Sequence, residues 1–318
     1  MTTRILLATD FSRWARRAED YACALACSWR ASLTVLRVAE FPPGLNPDYP
    51  INQQYLADLL KQAASQLVDL KGRAERRGIA VTTRMATGIP SEEVITAARA
   101  EDSDLIVVGT KGKTGLAHVL LGSTAERVIR GAPCPVLTVR MEPADTEQEV
   151  GALSRSVTLE RLLVPVDFSA CSLEALEYAA VVAQQAKASL MLLHVLEPVS
   201  YGLDFTLGHS RTREQVRETW TKRLEELAAS LRVRQVPVAS QLRGGLPADS
   251  ILDAAQTLPC DLIVMGTHGR RGISHVFSGS VAEAVLRKAS CPVLTVRNPK
   301  FGPGHRRVIP TAMSPVTG

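Results

Sequence analysis

The sequence predicts an α/β protein built as two tandem domains, each an open parallel sheet covered by helices. Three observations lead there. Short, strongly apolar runs that read as strands alternate with segments of helical periodicity, the pattern of a parallel sheet buried on both faces. The whole pattern then occurs twice at a constant offset of 157 residues, as from Asp10 to Asp167, Phe11 to Phe168, Ser12 to Ser169, Gly88 to Gly245 and Pro90 to Pro247. Each copy also carries Gly-x2-Gly-x9-Gly-Ser between a strand and a helix. These residues are Gly109, Gly112, Gly122 and Ser123 in the first copy, and Gly266, Gly269, Gly279 and Ser280 in the second.

The elements follow in order. Arg4 to Thr9 reads as a continuous apolar strand, and Ala15 to Trp29 as a helix through Ala18, Tyr21, Ala22 and Leu25. Leu33 to Ala39 is the second strand. A loop with Pro42, Pro43, Pro47 and Pro50 leads to a long helix whose Leu56, Leu59, Leu60, Ala63, Leu67 and Leu70 form one stripe. Ile79 to Met85 is the third strand. Ser91 starts the next helix, with Glu92 and Glu93 in its first turn, where carboxylates meet the positive end of the dipole. The strand Asp104 to Val108, the glycine loop, a helix over Ala125 to Arg130 and the strand in Cys134-Pro-Val-Leu-Thr-Val-Arg140 complete the copy. The second copy ends on Asp261 to Met265, Ala282 to Arg287 and Cys291-Pro-Val-Leu-Thr-Val-Arg297.

Repeat arrays have periods of roughly 20–50 residues, so a period this long is a domain. The division is residues 1–143 for the first domain, 144–159 for a linker and 160–298 for the second domain. Residues 299–318 are rich in Pro and Gly without apolar periodicity and are expected to be a flexible tail, with Lys300, His305, Arg306 and Arg307 solvated.

Composition removes several function classes. A net charge of +5 with only 4% aromatics and no Lys/Arg stripe interleaved with rings disfavours nucleic-acid binding by stacking. No apolar run approaches the ~18 residues of a membrane helix. Ile5-Leu6-Leu7-Ala8 is too short for a signal segment and ends at Asp10, so the expected location is cytoplasmic. The six cysteines show no Cys-x2-Cys spacing. Cys23, Cys27, Cys134 and Cys291 read as buried, reduced thiols acting as small apolar groups.

An open sheet of this kind binds ligands at the carboxyl ends of its strands, where the strand order reverses. If the first and fourth strands are neighbours there, Asp10 faces the Gly109 loop across a crevice, and Asp167 faces the Gly266 loop. The carboxylate can accept hydrogen bonds from sugar hydroxyls or a base edge. The glycines let backbone N–H groups turn toward phosphate, and the helix after Gly122-Ser123 offers its positive end. Ser123 and Ser280 can cap that helix and reach a phosphate oxygen. Lys113 and Arg270 match in position and read as phosphate contacts or as loop cations facing solvent.

Other patterns carry less. Gly112-Lys113-Thr114 resembles the end of a Walker A loop, but Val107 stands where the first glycine belongs. His118 and His275 lack a carboxylate at triad spacing and read as loop-positioning residues, with ligand contact or phosphotransfer as the alternative. Ser12 and Ser169 have no Gly-x-Ser-x-Gly elbow around them and read as helix caps. The glycine motif alone could shape a tight turn and bind nothing.

The residues are similar to those of the universal stress protein family. The resemblance is carried by Ile-Leu-Leu-Ala-Thr-Asp10-Phe-Ser and Leu-Leu-Val-Pro-Val-Asp167-Phe-Ser, the paired glycine motifs, the Gly-x-Pro turns and the terminal Cys-Pro-Val-Leu-Thr-Val, over residues 4–140 and 161–297. It implies five-stranded sheets of order 3-2-1-4-5, paired through strand 5 as a pseudo-dimer within one chain, with a further homo-dimer left open. It also implies ATP as the ligand, with ADP or AMP left open; Mg²⁺ would come with the phosphates and not in a protein cage. By motif position, Asp10 and Asp167 would contact the adenosine end, and Val38 and Val195 the adenine. Gly109, Gly112, Gly122 and Ser123, with Gly266, Gly269, Gly279 and Ser280, would hold ribose and phosphates. The first copy departs at Ala8-Thr9, where the second has Pro165-Val166, which would put a hydroxyl near the base. The implied function is a nucleotide-dependent stress-response module with one site per domain, read by an unknown protein partner. The alternatives are a slow ATPase or phosphotransfer enzyme, and a nucleotide-free scaffold.

Overall fold

A computed structural model describes residues 3–40, 49–110, 121–140, 157–197, 209–267, 279–297, 299–302 and 305–310. The chain forms two compact units, Met1–Val157 and Thr158–Gly318. The first contains β1 (Arg4–Ala8), α1 (Arg16–Trp29), β2 (Ser32–Ala39), α2 (Pro50–Glu75), β3 (Val81–Thr87), α3 (Pro90–Ala100), β4 (Leu105–Gly109), α4 (Ser123–Gly131) and β5 (Val136–Val139). The second contains β6 (Arg161–Pro165), α5 (Ala170–Ala186), β7 (Ser189–Leu196), α6 (His209–Arg232), β8 (Val238–Gly244), α7 (Pro247–Thr257), β9 (Leu262–Gly266), α8 (Ser280–Lys288) and β10 (Val293–Val296).

Within the first unit the strands run parallel in the order β3-β2-β1-β4-β5. The second repeats it as β8-β7-β6-β9-β10. Ile5 pairs with both Leu33 and Leu105, so β1 is central. Its consecutive Ile5, Leu6 and Leu7 are all buried, which requires cover on both faces. At the edge, β3 exposes Thr82, Arg84 and Met85, and its pattern is accordingly mixed. In α2 the apolar stripe packs through Ala63, Leu67 and Leu70, while Leu56, Leu59 and Leu60 are half-buried.

Several boundaries differ from the sequence reading for local reasons. β3 lies two residues later than expected and stops before Gly88, whose φ of 145° few other residues adopt. The N–H of Gly88 donates to Ala39 O at 3.2 Å, tying the end of β3 to the end of β2; Gly245 repeats this with Leu196 O at 3.0 Å. α3 starts on Pro90, not Ser91, because proline at the first helical position loses no needed hydrogen bond. Ser91 is then buried inside the first turn.

The cysteines are all free, but only Cys23 and Cys134 are buried; Cys27 is exposed, and Cys171, Cys260 and Cys291 are half-buried. Burial pushes the Cys23 thiol up to about 12. The tail also differs from expectation. Val308 and Ile309 donate backbone N–H groups to the buried Glu177 carboxylate at 3.3 and 2.8 Å, beside Arg234 Nη2 and His305 Nε2, each 2.8 Å from Glu177 Oε1. Phe301 stacks on His305 at 4.2 Å, and Ile309 is 2% exposed. The Phe301 ring, 6.3 Å from that of Tyr178, and the backbone of Val308 and Ile309 thus hold these residues against α5. Residues 141–156 of the linker region and 311–318 lie outside the described residues.

Candidate functional site

In each unit the chain leaves the central strand to opposite sides. The β1–α1–β2 connection moves one way and β4 lies on the other flank of β1, so the strand order reverses between β1 and β4. Ala8 pairs with Val108 at that edge. Asp10 follows two residues after β1, and Gly109 is the last residue of β4, so both occupy the carboxyl edge at the reversal. β6 and β9 place Asp167 and Gly266 in the same way.

A tight turn fixes each aspartate. Asp10 Oδ1 accepts Ser12 N–H at 2.9 Å, and Asp167 Oδ1 accepts Ser169 N–H at 3.0 Å and Ser169 Oγ–H at 2.6 Å. The intervening Phe11 and Phe168 take left-handed conformations, φ 56° and 62°. Ser169 caps α5 by accepting Ser172 N–H at 3.2 Å, and Ser12 Oγ accepts Ala15 N–H at 3.3 Å just before α1. The capping role read for these serines holds for Ser169; Ser12 instead braces the turn that precedes α1, whose cap position is Ala15 and carries no side-chain cap.

Ser123 and Ser280 do not cap. Gly122 and Gly279 occupy the cap positions, neither helix has a side-chain cap, and the serines are exposed at the first helical position. Gly122 N–H donates to Thr110 O at 2.6 Å, and Gly279 N–H donates to Thr267 O at 2.7 Å. Each bond ties the residue before the helix to the residue after the strand; the next N–H groups of a helix's first turn have no partner within the helix. At φ −72°, Gly122 has a conformation open to any residue. Gly266 serves packing: a Cβ there would lie 2.7 Å from Cys171 Sγ and 2.9 Å from Cys171 O. Val38 is buried and Val195 half-buried near the ends of β2 and β7. Asp10, Val38, Gly109, Gly122 and Ser123 thus share one sheet edge, as do Asp167, Val195, Gly266, Gly279 and Ser280. Gly112, Lys113, Gly269 and Arg270, with His118 and His275, lie outside the described residues.

The two edges differ behind the aspartates. In the first unit Thr9 Oγ1 donates to the buried Glu19 Oε1 at 2.7 Å and accepts Phe11 N–H at 3.0 Å. Burial raises the Glu19 carboxyl, while the Thr9 hydrogen bond opposes the rise. Arg37 is buried, donates from Nη1 to Val38 O at 2.8 Å, and has no partner for Nε among the described residues. Burial lowers its pKa, and the Asp10 carboxylate opposes that. In the second unit the corresponding residues are Val166, Leu176 and His194. His194 donates from Nδ1 to Val166 O at 2.6 Å and packs against both Phe168 and Trp220, with ring centroids 5.0 and 4.6 Å away. The sequence reading places the Thr9 hydroxyl near the base; it is instead buried and donates to Glu19, and Glu19, Arg37, His194, Thr110 and Thr267 carry no signal in that reading. The constant offset does expose the threonines as a matched pair, and Arg37 and His194 as a mismatch.

The sequence model of the universal stress protein family matches residues 1–140 and 158–297. This chain belongs to that family. A universal stress protein of Methanocaldococcus jannaschii is 36% identical over 138 residues, covering 43% of this chain and 81% of the relative. A universal stress protein of Mycolicibacterium smegmatis is 27% identical over 302 residues, covering 92% of this chain and 96% of the relative, so tandem length is shared. The crystal structure of a universal stress protein from Archaeoglobus fulgidus covers 94% of this chain and 99% of its own, with a TM-score of 0.69 at 23% identity, a likeness of fold. Among the described residues no helix is long and apolar enough to cross a membrane.

Proposed function

We propose that each unit of this universal stress protein binds one adenine nucleotide, ATP in the first instance, and that occupancy sets a surface read by a protein partner. The observation that supports this most is the twofold recurrence of one arrangement: an aspartate after the central strand and a helix N-terminus without a side-chain cap at the same sheet edge, at the strand-order reversal. A helix N-terminus concentrates partial positive charge and N–H donors, which suits phosphate. Ser123 and Ser280 would add hydroxyl donors. Asp10 and Asp167 would accept from the ribose or base, and Val38 and Val195 would pack against the base. Lys113 and Arg270 would supply phosphate charge, and Mg²⁺ would arrive with the phosphates. Ligand binding shifts a population only through preference for one state. In this reading the phosphates provide that preference.

Equilibrium dialysis with labelled ATP and Mg²⁺ tests the assignment. Asp10→Ala and Asp167→Ala should each weaken one class of site and leave the other. Unchanged binding in both variants would remove these edges as the nucleotide sites.

A further inference from the structure

The ends of β9 and β10 opposite the candidate site hold a second pair of chemically active groups. Cys260 Sγ and Cys291 Sγ lie 3.9 Å apart, both thiols are free, and both residues are half-buried. Their positions are set by the sheet. Val293 pairs with Ile263, and Ile263 N–H donates to Pro292 O at 3.0 Å, so Cys291 sits just before β10 and beside the start of β9. Strands about 4.8 Å apart with a rise of roughly 3.3 Å per residue put positions offset by one about 5.8 Å apart at Cα. That lies inside the ~4.4–6.8 Å span of disulfides.

We propose that Cys260 and Cys291 are a site of reversible oxidation, closing to an intradomain disulfide when the protein meets a peroxide. Cys260 attacks one peroxide oxygen, the O–O bond breaks, and the thiol becomes a sulfenic acid with release of water. The sulfur of Cys291 then attacks the sulfenic sulfur, the S–O bond breaks, the S–S bond forms, and a second water leaves. Two thiols and one hydrogen peroxide become one disulfide and two waters.

The order of the two sulfurs follows from their surroundings. Either thiol can donate in the Cys260–Cys291 contact; that contact lowers the Cys260 thiol, and the same contact, with burial, raises Cys291. The first unit provides an internal comparison, because the matching positions are Ser103 and Cys134, which cannot form the bond.

The test uses the full-length reduced protein, treated with hydrogen peroxide, quenched by alkylation in denaturant and mapped as non-reduced peptides. The expected result is loss of two of the six thiols. A Cys260–Cys291 linked peptide should be lighter by two hydrogen atoms and reversible with dithiothreitol. In Cys291→Ser, dimedone should trap a sulfenic acid at Cys260. Cys260→Ser should leave Cys291 unmodified at the same dose. Recovery of Cys260 and Cys291 as separate alkylated thiols while the exposed Cys27 is oxidised would overturn the proposal. So would capture of both as unlinked oxidised acids.

Discussion

Thr9 Oγ1 donates to Glu19 Oε1 at 2.7 Å inside the first unit, at the two positions where the second unit places Val166 and Leu176. A polar pair in one repeat and an apolar pair in the other fill the same place behind the aspartate. Thr9→Val alone would leave a buried carboxyl without that donor, an expected loss of about 1–3 kcal/mol. Thr9→Val with Glu19→Leu copies the second unit and should recover most of it, since replacing both partners by apolar groups is close to neutral or stabilising. Urea unfolding of the two single variants and the double variant gives the cycle; additive losses would contradict the coupling.

Glu19 also makes a pH prediction. Its folded-state pKa is raised by burial, so the folded protein keeps a proton that the unfolded chain releases. The stability from this group is fully present below its ordinary value of 4.5 and is lost as pH rises through the higher folded value. Glu19→Gln cannot titrate there. Its midpoint of denaturation should therefore fall less than that of the parent as pH increases across that window. Parallel curves would contradict the assignment.

At Gly266 the sheet edge and α5 come together. Gly266→Ala puts a methyl 2.9 Å from the Cys171 carbonyl oxygen, a backbone atom that cannot swing away. Overpacking of this kind costs about 1–3 kcal/mol. Gly244→Ala, whose Cβ would meet nothing closer than Leu196 O at 4.0 Å, serves as the control. Equal thermal shifts in the two variants would show that contact with Cys171 is not what demands glycine.

The tail segment should protect backbone amides. Val308 and Ile309 donate to Glu177, and the Ile309 side chain is buried. Ile309→Ala removes the apolar anchor, so exchange at both amides should accelerate in hydrogen-exchange measurements. Protection that survives the substitution would place the holding force in the His305 and Arg234 contacts with Glu177.

Much of this architecture was legible in the residues. Continuous apolar runs such as Leu105 to Val108 can be buried on both faces only in a covered parallel sheet, and the repeat doubled every inference. Asp10 and Gly109 fall at the same edge because both end strands that flank the reversal. Less legible were features that depend on contacts between distant segments. The bond from Gly122 N–H depends on Thr110 O, and no periodicity marks it. Phe301 and Ile309 are too widely spaced to form a pattern, so nothing in the sequence marks the contacts that residues 299–302 and 305–310 make with α5. The layer of Arg37, Glu19 and Thr9 is a mismatch between repeats, visible only once the copies are compared residue by residue.

The central claim is a nucleotide site in each unit. Calorimetric titration of nucleotide-stripped protein with ATP and Mg²⁺ tests it most directly, through stoichiometry. Two ATP per chain is the predicted result; no binding at millimolar ATP would contradict it and leave glycine loops that serve only to join strand to helix.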